Sequence, residues 1–164
     1  MNVLTLSILI AATLGSGMMA GLFCSFSNFV MQALSDIPPP KGIAAMQSIN
    51  VVIVKPTFLI VFFGTGVACA LALCLGWQQL DEGALAWAIA GGAVYVSGSI
   101  VVTIAFNVPL NNRLAAVDSE SEEGVKMWEI YLERWVRWNH VRSIATIIST
   151  ILLIVAVLHA NSHA

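Results

Sequence analysis

Four apolar runs, at about residues 3–34, 57–77, 84–106 and 141–160, decide what this chain can fold into. Crossing a bilayer core of about 30 Å takes about 20 apolar helical residues. A helix is also how a single segment satisfies all of its own backbone groups in hydrocarbon. The composition agrees: 59% of the 164 residues are hydrophobic and 10% charged, with a mean hydropathy of +0.88, unlike a soluble domain. The expected fold class is an all-α membrane protein: one domain over residues 1–164, built as an antiparallel four-helix transmembrane bundle. Cys24, Cys69 and Cys74 lie inside apolar runs without paired spacing and read as small buried residues rather than disulfides or a metal site. A net charge of −2 and the lack of a basic motif exclude a nucleic-acid partner.

The connections carry the remaining information. Asp36-Ile-Pro-Pro-Pro-Lys41-Gly ends the first helix, because proline offers no donor and blocks helical continuation. Ile43 to Val54 then reads as a short re-entrant or interfacial helix with Gln47 and Asn50 one turn apart, and Pro56 opens the second span. In the first helix Met18, Gly21, Ser25, Asn28 and Gln32 follow at steps of three and four and are expected to share a face. In the third, Tyr95, Ser99, Thr103, Asn107 and Asn111 form a row at steps of four that Pro109 is expected to interrupt. The fourth helix is expected to start outside the membrane, capped by Ser119 or Ser121. Its inward stripe runs through Trp128, Leu132, Trp135, Asn139, Arg142, Thr146 and Ser149, making a cytoplasmic extension continuous with the span.

All 7 Lys and Arg residues fall in or beside the first and third connections. The positive-inside rule therefore places those connections in the cytoplasm and both termini outside. Asn28, Gln47, Asn50, Asn107, Asn111, Asn112, Asn139, His140 and Arg142 then lie at one depth, the cytoplasmic leaflet. Facing side chains in a bundle build sites, so a polar pocket roofed by Trp128, Trp135 and Trp138 is expected there. For each residue alone a structural role competes: tryptophan as interfacial anchor, arginine as snorkel, amide as interhelical glue.

The segments Gln47-Ser-Ile-Asn50, Asn107-Val-Pro-Leu-Asn111-Asn112 and Trp135-x-x-Trp138-Asn139-His140-x-Arg142 resemble the anthrone oxygenase-like integral membrane proteins. The likeness takes in Phe26 to Met31 and is most specific at NVPLNN and WNHVR. It implies a four-helix membrane protein and, for the fungal members, oxidation of an anthrone to an anthraquinone by dioxygen without an evident metal or flavin. This sequence is similar to the bacterial members, which implies a bacterial inner (plasma) membrane.

That chemistry needs a base, donors for an oxyanion and an apolar slot for a planar ring. His140 is a candidate general base near neutral pH. Arg142 and the amides of Asn50, Asn111 and Asn139 are candidate oxyanion donors, and Trp135 and Trp138 candidate stacking partners. Asn28, Gln47, Asn107 and Asn112 complete the expected binding residues. His140 lies roughly 100° around the helix from Asn139, so it faces either the pocket or a neighbouring surface. His159 and His163 are spaced by four but sit in the tail, and no metal site is expected.

No nucleotide, zinc-protease or thioredoxin motif is present; no cofactor is expected, with dioxygen as co-substrate. The function expected is a membrane oxidoreductase acting on a hydrophobic aromatic small molecule, anthrone- or hydroquinone-like. The alternative is a non-catalytic protein that binds a lipid, a quinone or a partner subunit through the same pocket. Membrane lipids surround either, and the second span and the small-residue face of the first suit a homo-oligomer.

Overall fold

The computed structural model describes residues 1–162. Among these, five helices follow one another: α1 (Val3–Ser35), α2 (Pro39–Ile53), α3 (Pro56–Gly76), α4 (Glu82–Ala115) and α5 (Glu122–Ser162). Four of them, all but α2, are long and apolar enough to cross a membrane. This is a multi-pass helical membrane protein.

Local chemistry sets the helix starts. The Asn2 side chain accepts from Thr5 N at 2.9 Å, Asp81 from Ala84 N at 3.0 Å and Ser121 from Gly124 N at 2.9 Å, each satisfying an orphan N–H of the first turn. Of the two serines weighed for α5, Ser121 is the cap, and Glu122 and Glu123 follow in its first turn. Prolines open α2 and α3, where the missing donor is of no consequence. The triple proline thus both ends α1 and begins α2, four residues ahead of the expected start.

The spans make an up-down-up-down ring. Ser16 donates to Thr146 O at 3.1 Å while Ser27 meets Ser143 at 3.1 Å, so α1 and α5 run antiparallel. Ser149 donates to Gly91 O at 2.9 Å and Arg142 to Thr103 Oγ1 at 3.2 Å, which does the same for α5 and α4. Tyr95 donates to Phe62 O at 2.9 Å between α4 and α3, and Thr5 donates to Gln79 Oε1 at 3.2 Å between α1 and the α3–α4 connection. Small residues permit these approaches: a Cβ at Gly98 would run into Ala145, and one at Gly15 into Thr65. Gly15, Ser16 and Ala20 are buried, so the small-residue face of α1 is used within the chain, while Gly21 is exposed.

The core is layered along the bundle axis. Leu9, Cys69, Ala88, Leu153 and Ala156 fill the end near the termini; Met19, Phe23, Phe62 and Tyr95 fill the middle. Met31, Ile43, Met46, Leu114, Trp128, Tyr131 and Trp135 fill the far end, where α2 closes the ring.

Three π turns depart from the expected pattern: Phe26–Val30 in α1, and Val96–Val101 and Thr103–Asn107 in α4. Pro109 does not interrupt α4. The N–H of Val108 bonds to Thr103 O, five residues back, and Pro109 falls in the first turn of a fresh α segment, Val108–Ala115. The wider turn takes up the irregularity that proline imposes. It also straightens the polar row: a four-residue step drifts by roughly 40° in an α-helix, whereas a π turn takes more residues per rotation. Tyr95, Ser99 and Asn107 consequently all stay buried. In α1, Phe23 and Met31 are both buried, and Met18, Gly21, Asn28 and Gln32 are exposed. The face expected to be polar and inward therefore points outward.

Candidate functional site

The buried stripe of α5 passes through Trp128, Tyr131, Trp135, Asn139, Arg142, Thr146, Ser149 and Leu153. It follows the expected line except at one step, where Tyr131, not Leu132, is the inward residue. Because α3 begins only at Pro56 while α1 and α4 continue past that level, α2 supplies the fourth wall there. A pocket of about 100 Å³ lies behind it. Phe23 and Phe26 of α1, Met46, Ile49, Asn50 and Ile53 of α2, Phe58 of α3, Thr103, Val108 and Asn111 of α4, and Trp135, Asn139 and Arg142 of α5 line it. Val54, 60% exposed, and Val108, 40% exposed, mark its mouth between the α2–α3 junction and α4. A cavity of about 150 Å³ holds a benzene, so a larger planar molecule would extend from the enclosed part into this mouth.

Arg142 is the dominant group. It is 5% exposed, and its guanidinium carbon stands 4.3 Å from the Phe23 ring centroid and 5.2 Å from that of Trp135. Cation–π attraction is strengthened where water is excluded. One terminal nitrogen donates to Thr103 Oγ1 at 3.2 Å, the other to Asn139 Oδ1 at 2.6 Å. Asn139 is itself held by donating to Phe23 O at 2.8 Å and Ser27 Oγ at 2.7 Å, which locks its carbonyl toward the arginine. A guanidinium has five N–H donors, and Nε has no partner. Among the described residues no carboxylate pairs with it; the one ion pair is Arg137–Glu133 on the surface, at 2.9 Å.

Asn50 and Asn111 join this pocket, and both are tied to the Tyr131 hydroxyl: Tyr131 donates to Asn111 Oδ1 at 2.8 Å and accepts from Asn50 Nδ2 at 3.4 Å. Trp135 lines the pocket, stacked on Tyr131 at 5.4 Å, with Trp128 stacked on Tyr131's other side at 5.7 Å. The indole expected as a roof at Trp128 is thus one layer away.

Several expected site residues lie elsewhere. His140 is exposed and outside the pocket lining, turned away by the helical step that keeps Asn139 inside; it is not placed to act as a base there. Asn28 and Asn112 are exposed. Trp138 stacks on Phe106 at 3.7 Å, on the outside of the bundle. Gln47 donates to Leu114 O at 2.8 Å and Val117 O at 3.0 Å, capping the last turn of α4 and its exit. Asn107, buried, donates to Trp135 O at 3.2 Å and ties α4 to α5. These last two are interhelical glue. Of the His159–His163 pair, His163 lies outside the described residues. Phe23 lines the pocket and Tyr131 stands behind it, and the sequence singled out neither; Thr103 and Phe26 also line it, marked in the sequence only by the α4 row and the Phe26–Met31 segment. For Tyr131 the signal was its step of three from Trp128 and four to Trp135.

A family model for anthrone oxygenase matches residues 53–152, more than half of the 164-residue chain. The chain belongs to the anthrone oxygenase family. The anthrone oxygenase match takes in α3, α4 and most of α5, and so Thr103, Asn111, Trp135, Asn139 and Arg142. It stops short of α1 and of Asn50, although both contribute to the pocket. No curated protein and no solved structure matches the chain.

Proposed function

We propose that this protein is a membrane oxygenase that oxidises an anthrone- or hydroquinone-like aromatic with dioxygen in the pocket around Arg142. For an anthrone, loss of a methylene proton leaves an electron pair that delocalises onto the ring oxygen. The carbanion carbon then forms a bond to dioxygen, the resulting peroxide is protonated, and loss of the second methylene hydrogen with hydroxide, as water, leaves a second carbonyl. One anthrone and one dioxygen give one anthraquinone and one water. Arg142 holds the oxyanion, Phe23, Phe26 and Trp135 hold the ring, and Asn139 aims the guanidinium. Among the described residues the pocket lining has no carboxylate or imidazole. The first proton therefore passes to water at the mouth, made acidic enough by the cation beside the developing charge.

The observation that carries this reading is a buried arginine without an acid. A lone charge in a membrane span is costly and is usually functional, and Arg142 lines an apolar pocket with its buried Nε left without a partner. In the same reading the end of the bundle bearing Lys41, Lys55, Arg113 and Lys126 is cytoplasmic, both termini are outside, and the membrane is the bacterial inner membrane. The test is oxygen uptake by purified protein in lipid nanodiscs with anthrone, with quinone read by absorbance. Uptake and quinone formation in equal amounts support the reading. Uptake no faster than in empty nanodiscs, for both anthrone and a hydroquinone, removes it and leaves ligand binding as the role of the pocket.

A further inference from the structure

Tyr131 is 0% exposed and stands behind the pocket wall, touching it through two amides that do line it, Asn50 and Asn111. A phenol has a single O–H to donate and can accept in return. It donates to Asn111 Oδ1 at 2.8 Å and accepts from Asn50 Nδ2 at 3.4 Å. One O–H serves one carbonyl, and the two amides are turned in opposite senses around it. The Asn111 NH2 and the Asn50 carbonyl are then the ends left for the pocket, and neither is a buried orphan. The Trp128–Tyr131–Trp135 stack, with ring separations of 5.7 and 5.4 Å, holds the phenol in place.

We infer that Tyr131 is a positioning and specificity-determining residue: through Asn50 and Asn111 it sets one fixed acceptor and one fixed donor on the pocket wall, a pair matched by a ring hydroxyl and not by an ether or a bare ring edge. A hydroxyl on the bound ring donates to Asn50 Oδ1 and accepts from Asn111 Nδ2. A methoxy group can only accept, leaving the Asn50 carbonyl desolvated and unpaired. That difference is worth about 10- to 100-fold in affinity. The inference rests on the reading of the pocket as an aromatic-ligand site, but not on turnover.

The experiment is therefore binding of unreactive quinones to protein in nanodiscs, read by quenching of tryptophan fluorescence, with 2-hydroxyanthraquinone, 2-methoxyanthraquinone and anthraquinone as probes. Wild type is expected to prefer the hydroxy compound over the methoxy compound by about tenfold or more. Tyr131→Phe keeps the stacked ring and removes the hydroxyl; the hydroxy-to-methoxy ratio should fall to near one. Asn50→Leu, which removes the acceptor directly, should lose the preference as well, and far-UV circular dichroism and gel filtration report the fold of both. Absence of a preference in wild type, or its survival in either folded variant, overturns the inference. No binding of any probe to wild type overturns it too. A preference that appears as expected in a protein without oxygen uptake supports the inference while the oxygenase reading fails.

Discussion

Replacing Arg142 by methionine separates the chemistry of the pocket from the stability of the bundle. On insertion scales a central arginine costs about 2.5–3.5 kcal/mol in a membrane helix. Against this stand two ring contacts, at 4.3 and 5.2 Å, worth about 0.5–2 kcal/mol each. Two charge-assisted hydrogen bonds, to Thr103 and Asn139, add about 1.5–3 kcal/mol each. Methionine relieves the first term, loses the others in part, and leaves Asn139 Oδ1 without its donor, at about 1–3 kcal/mol. The losses outweigh the relief, so Arg142→Met should lower the unfolding free energy by about 1–7 kcal/mol. Loss of a charged donor from an oxyanion site removes about 2.7–4 kcal/mol from the transition state, or 10²–10³ in kcat. Anthrone-dependent oxygen uptake in nanodiscs measures the second quantity and denaturant titration of tryptophan fluorescence the first. A kcat within tenfold of wild type in the folded variant would refute the reasoning: Arg142 would then be structural.

His140→Ala should leave both uptake and stability unchanged, within about 0.5 kcal/mol, since the side chain is exposed and outside the pocket lining; a large drop in kcat restores it as the base. Gly98→Val should destabilise by about 1–3 kcal/mol, because its Cβ meets Ala145 across the α4–α5 contact, and Ala145→Gly should recover part of the loss in a double-mutant cycle. Val54→Trp should narrow the mouth and raise KM for anthrone several-fold while denaturant stability, read as for Arg142, changes by less than about 0.5 kcal/mol, because the side chain is 60% exposed. An unaltered KM places entry elsewhere.

How far the sequence reaches is clearest along α5. Period alone puts Asn139 and Arg142 inward and makes His140 doubtful, and the structure keeps that assignment. The same period cannot choose between Tyr131 and Leu132 after Trp128, because steps of three and four are equally helical, and so the phenol behind the pocket was passed over. In α1 Asn28 and Gln32 continue the exposed line of Met18 and Gly21, and spacing alone groups these residues on one face without saying which way it points. Pro109 fails as a helix breaker because the preceding π turn has already changed the backbone partner. Gln47 and Asn107 were visible as amides, but their partners are backbone carbonyls 67 and 28 residues away. Only packing identifies such partners.

The late start of α3 has a consequence for supply. Because α2 takes the place of α3 at the level of the pocket, the mouth at Val54 and Val108 opens at the α2–α3 junction, among apolar side chains and beside exposed Lys55, where hydrocarbon and interfacial water meet. On the proposed oxygenase function, an apolar aromatic dissolved in acyl chains is concentrated there by partitioning and needs no passage through the aqueous phase to meet Arg142. The bilayer would then serve as the reservoir, and dioxygen, which also favours hydrocarbon, would be drawn from the same solvent. A quinone product would return to it.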